Sequence, residues 1–121
     1  MANPNIVNTS NIAGVTATLN VSTVAASIVN NPIGNNHVYK LNGLFLTNIT
    51  TSNTTVQVYL NSSGRTLSNT YVIYNATVPV STTFVAVDKN APFYMQEGDY
   101  LYVAAGVNNA IHALVTYEDI S

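Results

Sequence analysis

Apolar and polar residues alternate along several stretches of this chain. The three clearest are Val15–Val21, Thr55–Leu60 and Ile111–Tyr117, where every second side chain is apolar. A repeat of two residues is typical of a β-strand with one buried face, because successive side chains point to opposite sides of the backbone. These stretches therefore predict half-buried strands at the start, the middle and the end of the chain.

Other segments predict strands through their content of Val, Ile, Thr and Tyr. In the longest, His37–Ile49, apolar residues lie on both sides of Gly43. A glycine inside a strand is typical of a bulge or bend, so this segment predicts a bent central strand with both faces covered. The remaining predicted strands are Val24–Val29, Thr70–Val80, Thr83–Val87, a short strand entered through Pro92, and Tyr100–Val103.

No segment has a helical repeat over ten or more residues, and strand-forming residues dominate. Eight or nine short strands separated by turn signals are typical of a β-sandwich or a small barrel. Of the two, we favour an all-β, two-sheet antiparallel β-sandwich that is jelly-roll-like. One domain spans residues 14–121. The polar residues 1–13 are predicted to form an N-terminal arm that contacts a neighbouring molecule, or else a short edge strand.

The segment between Val85 and Val103 contains most of the predicted turn chemistry. Pro92 lies where a strand begins and a missing N–H is tolerated. Glu97, Gly98 and Asp99 form a tight turn in which we expect Gly98 at positive φ. Because charge is scarce elsewhere, these charged residues are predicted to mark turns that stay in water.

Charge is the compositional feature that most limits the function. Only 7% of the residues are charged, against ~25% in a typical soluble domain, and three of them are basic. Three basic residues cannot build a phosphate-binding patch, so nucleic acid is excluded as a partner. The chain begins without a signal-peptide pattern and has no apolar run near ~20 residues, so no membrane span is expected. A net charge of −2 gives little repulsion between copies, which favours a protein that works within an assembly.

No residue set predicts catalysis, a cofactor or a small-molecule substrate. The chain has no cysteine, and neither His37 nor His112 belongs to a local catalytic motif. The five carboxylates fall at predicted turns or at the C-terminus, where solvated charges are common. Glu97 and Asp99 could hold a calcium ion, but no loop has acids at metal-binding spacing. We therefore expect a protein that is not an enzyme. The rival hypothesis, a hydrolase, would need Glu97, Asp99 or Asp88 to face another acid or His112 in a pocket.

The tyrosines are the main candidates for function. All eight lie on predicted strands, and the chain has no tryptophan. Tyrosine is enriched at protein interfaces, and a tyrosine platform can also stack sugar rings. We favour a homo-oligomer that buries strand faces, with a carbohydrate-binding β-sandwich module as the alternative. The residues expected at the interface are Tyr39, Phe45, Tyr94, Tyr100 and Tyr102.

Two C-terminal segments carry a family resemblance. They are D-K-N-A-P-F-Y-M-Q-E-G-D-Y-L-Y-V, which ends at Val103, and the final V-T-Y-E-D-I-S. They resemble the C-terminal half of small virion structural proteins of tailed bacteriophages, of the marine and cyanobacterial type. The strand pair Val15–Val29, the Asn31-Pro32 loop and the strand Val38–Asn48 resemble the preceding part of that family. The resemblance implies a non-enzymatic particle component at the capsid, neck, tail or fibre. It would contact other virion proteins and be assembled in the bacterial host cytoplasm.

Overall fold

The computed structural model describes residues 11–63, 66–88 and 90–121. These residues form nine β-strands, and no helix among them has the length and apolar character that crossing a bilayer requires. The strands are β1 (Ile12–Val21), β2 (Ala26–Asn31), β3 (Val38–Asn48), β4 (Thr54–Ser62), β5 (Asn69–Val78), β6 (Thr83–Val87), β7 (Phe93–Met95), β8 (Asp99–Ala105) and β9 (Ile111–Ile120).

The strands form two antiparallel sheets. One sheet has the order β1-β9-β3-β6, with β7 also paired to β3, and the other has the order β2-β8-β4-β5. The chain passes from one sheet to the other at most connections, which is the strand order of a jelly roll. The predicted all-β, two-sheet antiparallel sandwich is confirmed.

The core lies between the sheets and is built from the inward residues of each alternating pattern. On β9, Ile111, Ala113 and Val115 are buried, as the sequence predicted. On β8, Leu101 and Val103 are buried, while Tyr102 between them is only partly buried. Together with the buried valines of β4, these residues form one continuous apolar cluster.

The predicted bend at Gly43 is present, and it changes how β3 packs. The pairing of β3 with β9 shifts between Leu41 and Gly43, which is a β-bulge. A bulge adds one residue, so the inward positions change from odd to even numbers. Leu41, Leu44 and Leu46 are therefore all buried in the same core. The prediction that both faces of this strand are covered is wrong, because the bulge directs the leucines on both sides of Gly43 to one face.

Two other predictions need correction. Ile12 and Ala13 belong to β1, so the boundary of the predicted arm at residue 13 falls inside a strand; residues 1–10 of that arm lie outside the described residues. Asp88 is exposed, as expected for a charged turn, but the Glu97-Gly98-Asp99 turn is not solvated, since Glu97 is 2% exposed and Asp99 is fully buried. Gly98 does have a positive φ of 88°, as predicted.

Candidate functional site

Three tyrosines form a row across the outer face of the β2-β8-β4-β5 sheet. Tyr102 on β8 lies opposite Tyr59 on β4, and Tyr59 lies opposite Tyr71 on β5. Both pairs of ring centroids are 5.3 Å apart, and the Tyr59 and Tyr102 planes differ by only 13°. Tyr74 extends the row through an edge-to-face contact with Tyr71 at 4.8 Å. We call this surface, defined by Tyr59, Tyr71, Tyr74 and Tyr102, the tyrosine face.

The rings of the tyrosine face contact one another. Because Tyr59 and Tyr102 stack on neighbouring strands, each ring covers one face of the other. Burial raises the pKa of Tyr59, and the neighbouring Tyr102 and Tyr71 raise it further. Tyr71 and Tyr74 remain 46% and 68% exposed, so the row offers a large aromatic area to a partner.

Amide side chains lie beside the tyrosines. Tyr100 is flanked by Asn30 on β2 and Asn61 on β4, and the Asn61 amide donates a 2.8 Å hydrogen bond to Asn69 Oδ1. Amides and phenols can both donate and accept hydrogen bonds. Among the described residues of these four strands, Asp99 is the only charged one, and it is buried. The outer face of this sheet is therefore polar but carries no charge.

The outer face of the other sheet has an apolar row of its own. Phe45 on β3 lies opposite Leu114 on β9 and opposite Val85 on β6. The Phe45 ring lies over Gly43, where a Cβ would approach the ring to 2.9 Å. Val85 is half exposed, and Leu114 is also exposed. We call Val85, Phe45 and Leu114 the apolar row.

The five residues predicted at an interface do not form one surface. Tyr39 is 8% exposed and packs against Tyr117 within the same chain at 4.9 Å, which leaves it little area for a partner. Phe45 and the exposed Tyr94 belong to the β1-β9-β3-β6 sheet, whereas Tyr100 and Tyr102 belong to the opposite sheet. Sequence reasoning placed the other surface tyrosines on strands but could not align them, because their adjacency depends on strand register.

The two histidines lie at opposite ends of the β3–β9 strand pair. His112 is exposed on β9, where it faces Asn20 and Thr47 in neighbouring strands. His37 Nδ1 lies 2.5 Å from Asp119 Oδ1, an ion pair when the imidazole is protonated. Both side chains are partly buried, and the pair fixes the loop before β3 to the end of β9.

Two tyrosines beside this ion pair have altered acidity. Burial raises the pKa of Tyr39, and the negative charge of Asp119 raises it further. The same two causes raise the pKa of Tyr117. The rings of Tyr39 and Tyr117, 4.9 Å apart, add a side-chain contact between β3 and β9.

The Glu97-Gly98-Asp99 turn is held by hydrogen bonds to its surroundings. Glu97 Oε1 accepts a 2.6 Å bond from the Gly34 backbone N–H, and Asp99 Oδ2 accepts a 2.8 Å bond from the Gln96 N–H. The Gly98 N–H donates to the Asn31 carbonyl at 2.7 Å. No group of three or more His, Asp or Glu side chains in the described part of the chain is placed to bind a metal ion. The predicted Glu97-Gly98-Asp99 turn is therefore hydrogen-bonded to Asn31 and Gly34, at the end of β2 and in the loop that follows it. Pro92, the other predicted turn residue, lies immediately before β7.

A shallow cleft of about 440 Å³ lies at one end of the β4-β5 pair. Its lining is neutral, and Thr54 Oγ1, which is buried there, has no hydrogen-bond partner among the described residues. The lining residues are Asn53, Thr54, Thr55, Thr77, Gly106 and Val107.

Comparison with known proteins shows a likeness in fold to a solved structure. No protein-family model matches the chain, and no curated protein matches it in sequence. Among solved structures, it is similar to a chain from Bacillus endospore appendages, which form a family of disulfide-linked pili. The TM-score is 0.52 at 16% identity, and the match covers 91% of this chain and 85% of the other. At this identity the likeness shows the fold alone: the chain has the same β-sandwich architecture as a pilus protein.

Proposed function

We propose that this chain is a structural subunit that assembles with copies of itself through protein–protein contacts. The observation that carries the proposal is the pair of uncharged outer surfaces, the tyrosine face and the apolar row. Packed sheets turn their outer faces in opposite directions, so each subunit offers two contact surfaces on opposite sides. Contacts between unlike surfaces do not close on themselves unless a rotation closes a ring. Such a subunit can form rings or open filaments.

The chemistry of the tyrosine face supports contact with another protein. Removing exposed aromatic groups from water is energetically favourable, and tyrosine is enriched at interfaces. Amide and phenol groups can form hydrogen bonds with many partner groups, and those partners need not be charged. Burial of an uncharged face avoids the cost of removing charges from water.

The likeness to a pilus protein also supports this proposal, because that protein builds appendages from the same kind of sandwich. Its pili are disulfide-linked, whereas this chain contains no cysteine. An assembly of this chain therefore depends on non-covalent contacts, which makes the area and chemistry of the outer faces decisive.

Within this structural role, we propose more specifically that the chain is a component of a tailed-phage particle. This proposal rests on the resemblance of Asp88–Val103 and the C-terminal strand to small virion structural proteins. In that setting the subunit would act at the capsid, neck, tail or fibre without catalysing a reaction. Mass spectrometry of purified virions tests this assignment. The protein should be present in particles, and its confinement to the lysate would refute the phage assignment.

A carbohydrate-binding module is the second candidate. Exposed Tyr71 and Tyr74 and the neutral cleft beside Thr54 favour it. The stacking of Tyr59 on Tyr102 opposes it, because sugars stack on free ring faces and these rings cover each other. Titration with neutral oligosaccharides distinguishes the two functions. Saturable binding that Tyr74→Ala abolishes would favour the module.

A charge placed in the tyrosine face tests self-assembly directly. Tyr71→Lys should reduce the assembled fraction seen by analytical ultracentrifugation, since a lysine would be buried between subunits without a partner. Val24→Lys is the matched control, because Val24 is an exposed apolar residue in the β1–β2 loop outside both surfaces. Equal assembly of the two variants would exclude the tyrosine face as a contact.

A further inference from the structure

The four sheet edges differ in how well they could accept another strand. The edge strand β2 has six residues with an irregularity between Ser27 and Val29. The edge strand β5 has irregular pairing with β4 and a positive φ at Asn75. The third edge consists of the short strands β6 and β7. Short strands and bulges discourage pairing with another chain, so these three edges are protected.

The fourth edge, β1, has none of these protections. Its ten residues pair with β9 without a register shift, and the strand contains no proline and no charged residue. Within the described residues, β1 pairs only with β9, which leaves its other side open. A long, regular, uncharged edge is a template for another strand.

The hydrogen bonds at the end of β1 identify the backbone groups that face this open side. Asn11 and Ser121 exchange both of their backbone hydrogen bonds, at 3.0 and 3.2 Å. In an antiparallel pair such exchanges occur at alternate residues, so the odd-numbered residues of β1 bond to β9. The even-numbered residues direct their N–H and C=O groups away from β9. These residues are Ile12, Gly14, Thr16, Thr18 and Asn20.

We propose that β1 pairs with β1 of a second copy of this chain, antiparallel and centred on Thr16. A twofold axis at Thr16 places Thr16 opposite Thr16, Gly14 opposite Thr18, and Ile12 opposite Asn20. This register uses both backbone groups of every even-numbered residue in the strand. A shift by one residue to Ala17 leaves the groups of Ile12 without a partner in the strand, and a shift that pairs odd with even residues places inward side chains on the outer face.

The side chains fit this arrangement. The even-numbered residues lie on the outer face, where a Thr–Thr pair across strands is favourable. The odd-numbered residues Val15, Ala17 and Leu19 lie on the inner face and are partly buried. No charged side chain of one β1 meets a like charge on the other, because the strand has none. The paired strands would join two sheets into one continuous sheet.

This inference rests on the proposed function, and it names one of the contacts that assembly would use. A twofold contact alone gives a closed pair of subunits. Combined with contacts through the outer faces, the same contact would link pairs into larger assemblies. A second copy of β1 is the occupant that matches this edge best, since β5, the other ten-residue edge strand described, pairs with register shifts whereas β1 pairs without any.

Single cysteines test the register, because the natural chain has no cysteine. Opposed residues that exchange hydrogen bonds have Cα atoms about 5.5 Å apart, within the range that a disulfide requires. Thr16→Cys should therefore convert monomer to a covalent dimer under mild oxidation. Thr18→Cys is the matched control: it lies on the same strand and face, but the two Thr18 Cα atoms would be more than about 13 Å apart. It should stay largely uncross-linked.

Light scattering of the same samples, kept reduced, shows whether the protein assembles at all. If Thr16→Cys and Thr18→Cys cross-link equally, or only Thr18→Cys does, the β1 pairing is overturned. If neither cross-links while the reduced protein is larger than a monomer, the pairing is also overturned but the proposed function stands. If the reduced protein is a monomer and no dimer forms, both fail.

A charge exchange provides a second test that does not require oxidation. Thr16→Lys and Thr16→Glu each place like charges face to face across the twofold axis, so each should lose the β1 contact. An equal mixture should recover it, because lysine then faces glutamate. Recovery in the mixture supports the register. No difference between the mixture and either variant alone overturns it.

Discussion

Tyr59 and Tyr102 stack across neighbouring strands, with ring centroids 5.3 Å apart and planes 13° apart. This contact fixes two rings at one end of the tyrosine face before any partner binds. Their energetic coupling can be measured by a double-mutant cycle with Tyr59→Ala and Tyr102→Ala in the dilute monomer. We expect a coupling of about 0.5–1.5 kcal/mol in the free energy of unfolding. Additive effects of the two substitutions would show that the rings do not stabilise one another.

The positive φ of Gly98 predicts a large effect of substitution at the buried turn. A Cβ at this position would lie 3.0 Å from Ser63 Oγ and 3.3 Å from Ile33. Gly98→Val should lower the free energy of unfolding by about 1 kcal/mol or more, because a β-branched residue fits poorly at positive φ. Gly98→Asn is the control, since asparagine tolerates this conformation better and should cost less. Equal thermal stability of Gly98→Val and the natural chain would contradict this account of the turn.

Asn48 connects β3 to two neighbouring segments. Its side-chain amide donates to the Ser52 and Val78 carbonyls at 2.8 and 2.9 Å, and its Oδ1 accepts from Thr50. Asn48→Ala should cost about 1–3 kcal/mol, because it leaves the buried Val78 carbonyl without its partner. Asn53→Ala removes an exposed side chain whose Oδ1 accepts from the Val80 N–H, and it should change stability by only about 0.5 kcal/mol. Chemical denaturation measures both values. Equal losses would show that burial of Asn48 does not determine its contribution.

The raised pKa values predict that the fold weakens in alkali. Tyr39, Tyr59 and Tyr117 hold their protons more tightly in the folded chain, chiefly because burial disfavours the phenolate. Their contribution to stability is complete below the unfolded pKa of about 10 and is lost as the pH rises through the folded values. Urea unfolding between pH 9 and 11 should therefore show a falling free energy of unfolding.

A substitution separates this effect from other alkaline changes. In the double variant Tyr39→Phe and Tyr117→Phe, two of the responsible phenols are absent, so the decline with pH should be shallower. Tyr94→Phe, on an exposed part of β7, provides the control. An identical decline in the natural chain, the double variant and Tyr94→Phe would exclude Tyr39 and Tyr117 as its source.

The sequence predicted the fold well because alternation reports directly on which side of a strand is buried. Ile111, Ala113 and Val115 follow the pattern and lie in the core. The mid-strand Gly43 also predicted the bulge, but its consequence was misjudged. A bulge changes the parity of the inward positions, so Leu41 and Leu44 share one face although they are three residues apart.

The candidate site was less predictable, since it depends on register between distant strands. Tyr102 is far from Tyr59 and Tyr71 in sequence, and the three meet only because β4 lies between β5 and β8. Local patterns identify each tyrosine as a strand residue without showing which tyrosines are neighbours. The burial of Glu97 was missed for a related reason. A carboxylate at a turn is ordinarily solvated, and the Gly34 N–H that it accepts from belongs to a loop far away in the sequence.

Self-assembly is the central claim, and the mass of the natural protein as a function of concentration tests it most directly. Light scattering or sedimentation should be measured from low to high micromolar concentration. We predict a mass that rises above the 12.9 kDa monomer, with rings or filaments visible by electron microscopy at the upper end. A monomer that persists across the whole range would contradict the claim, because the tyrosine face and the apolar row would then remain in water without a second copy.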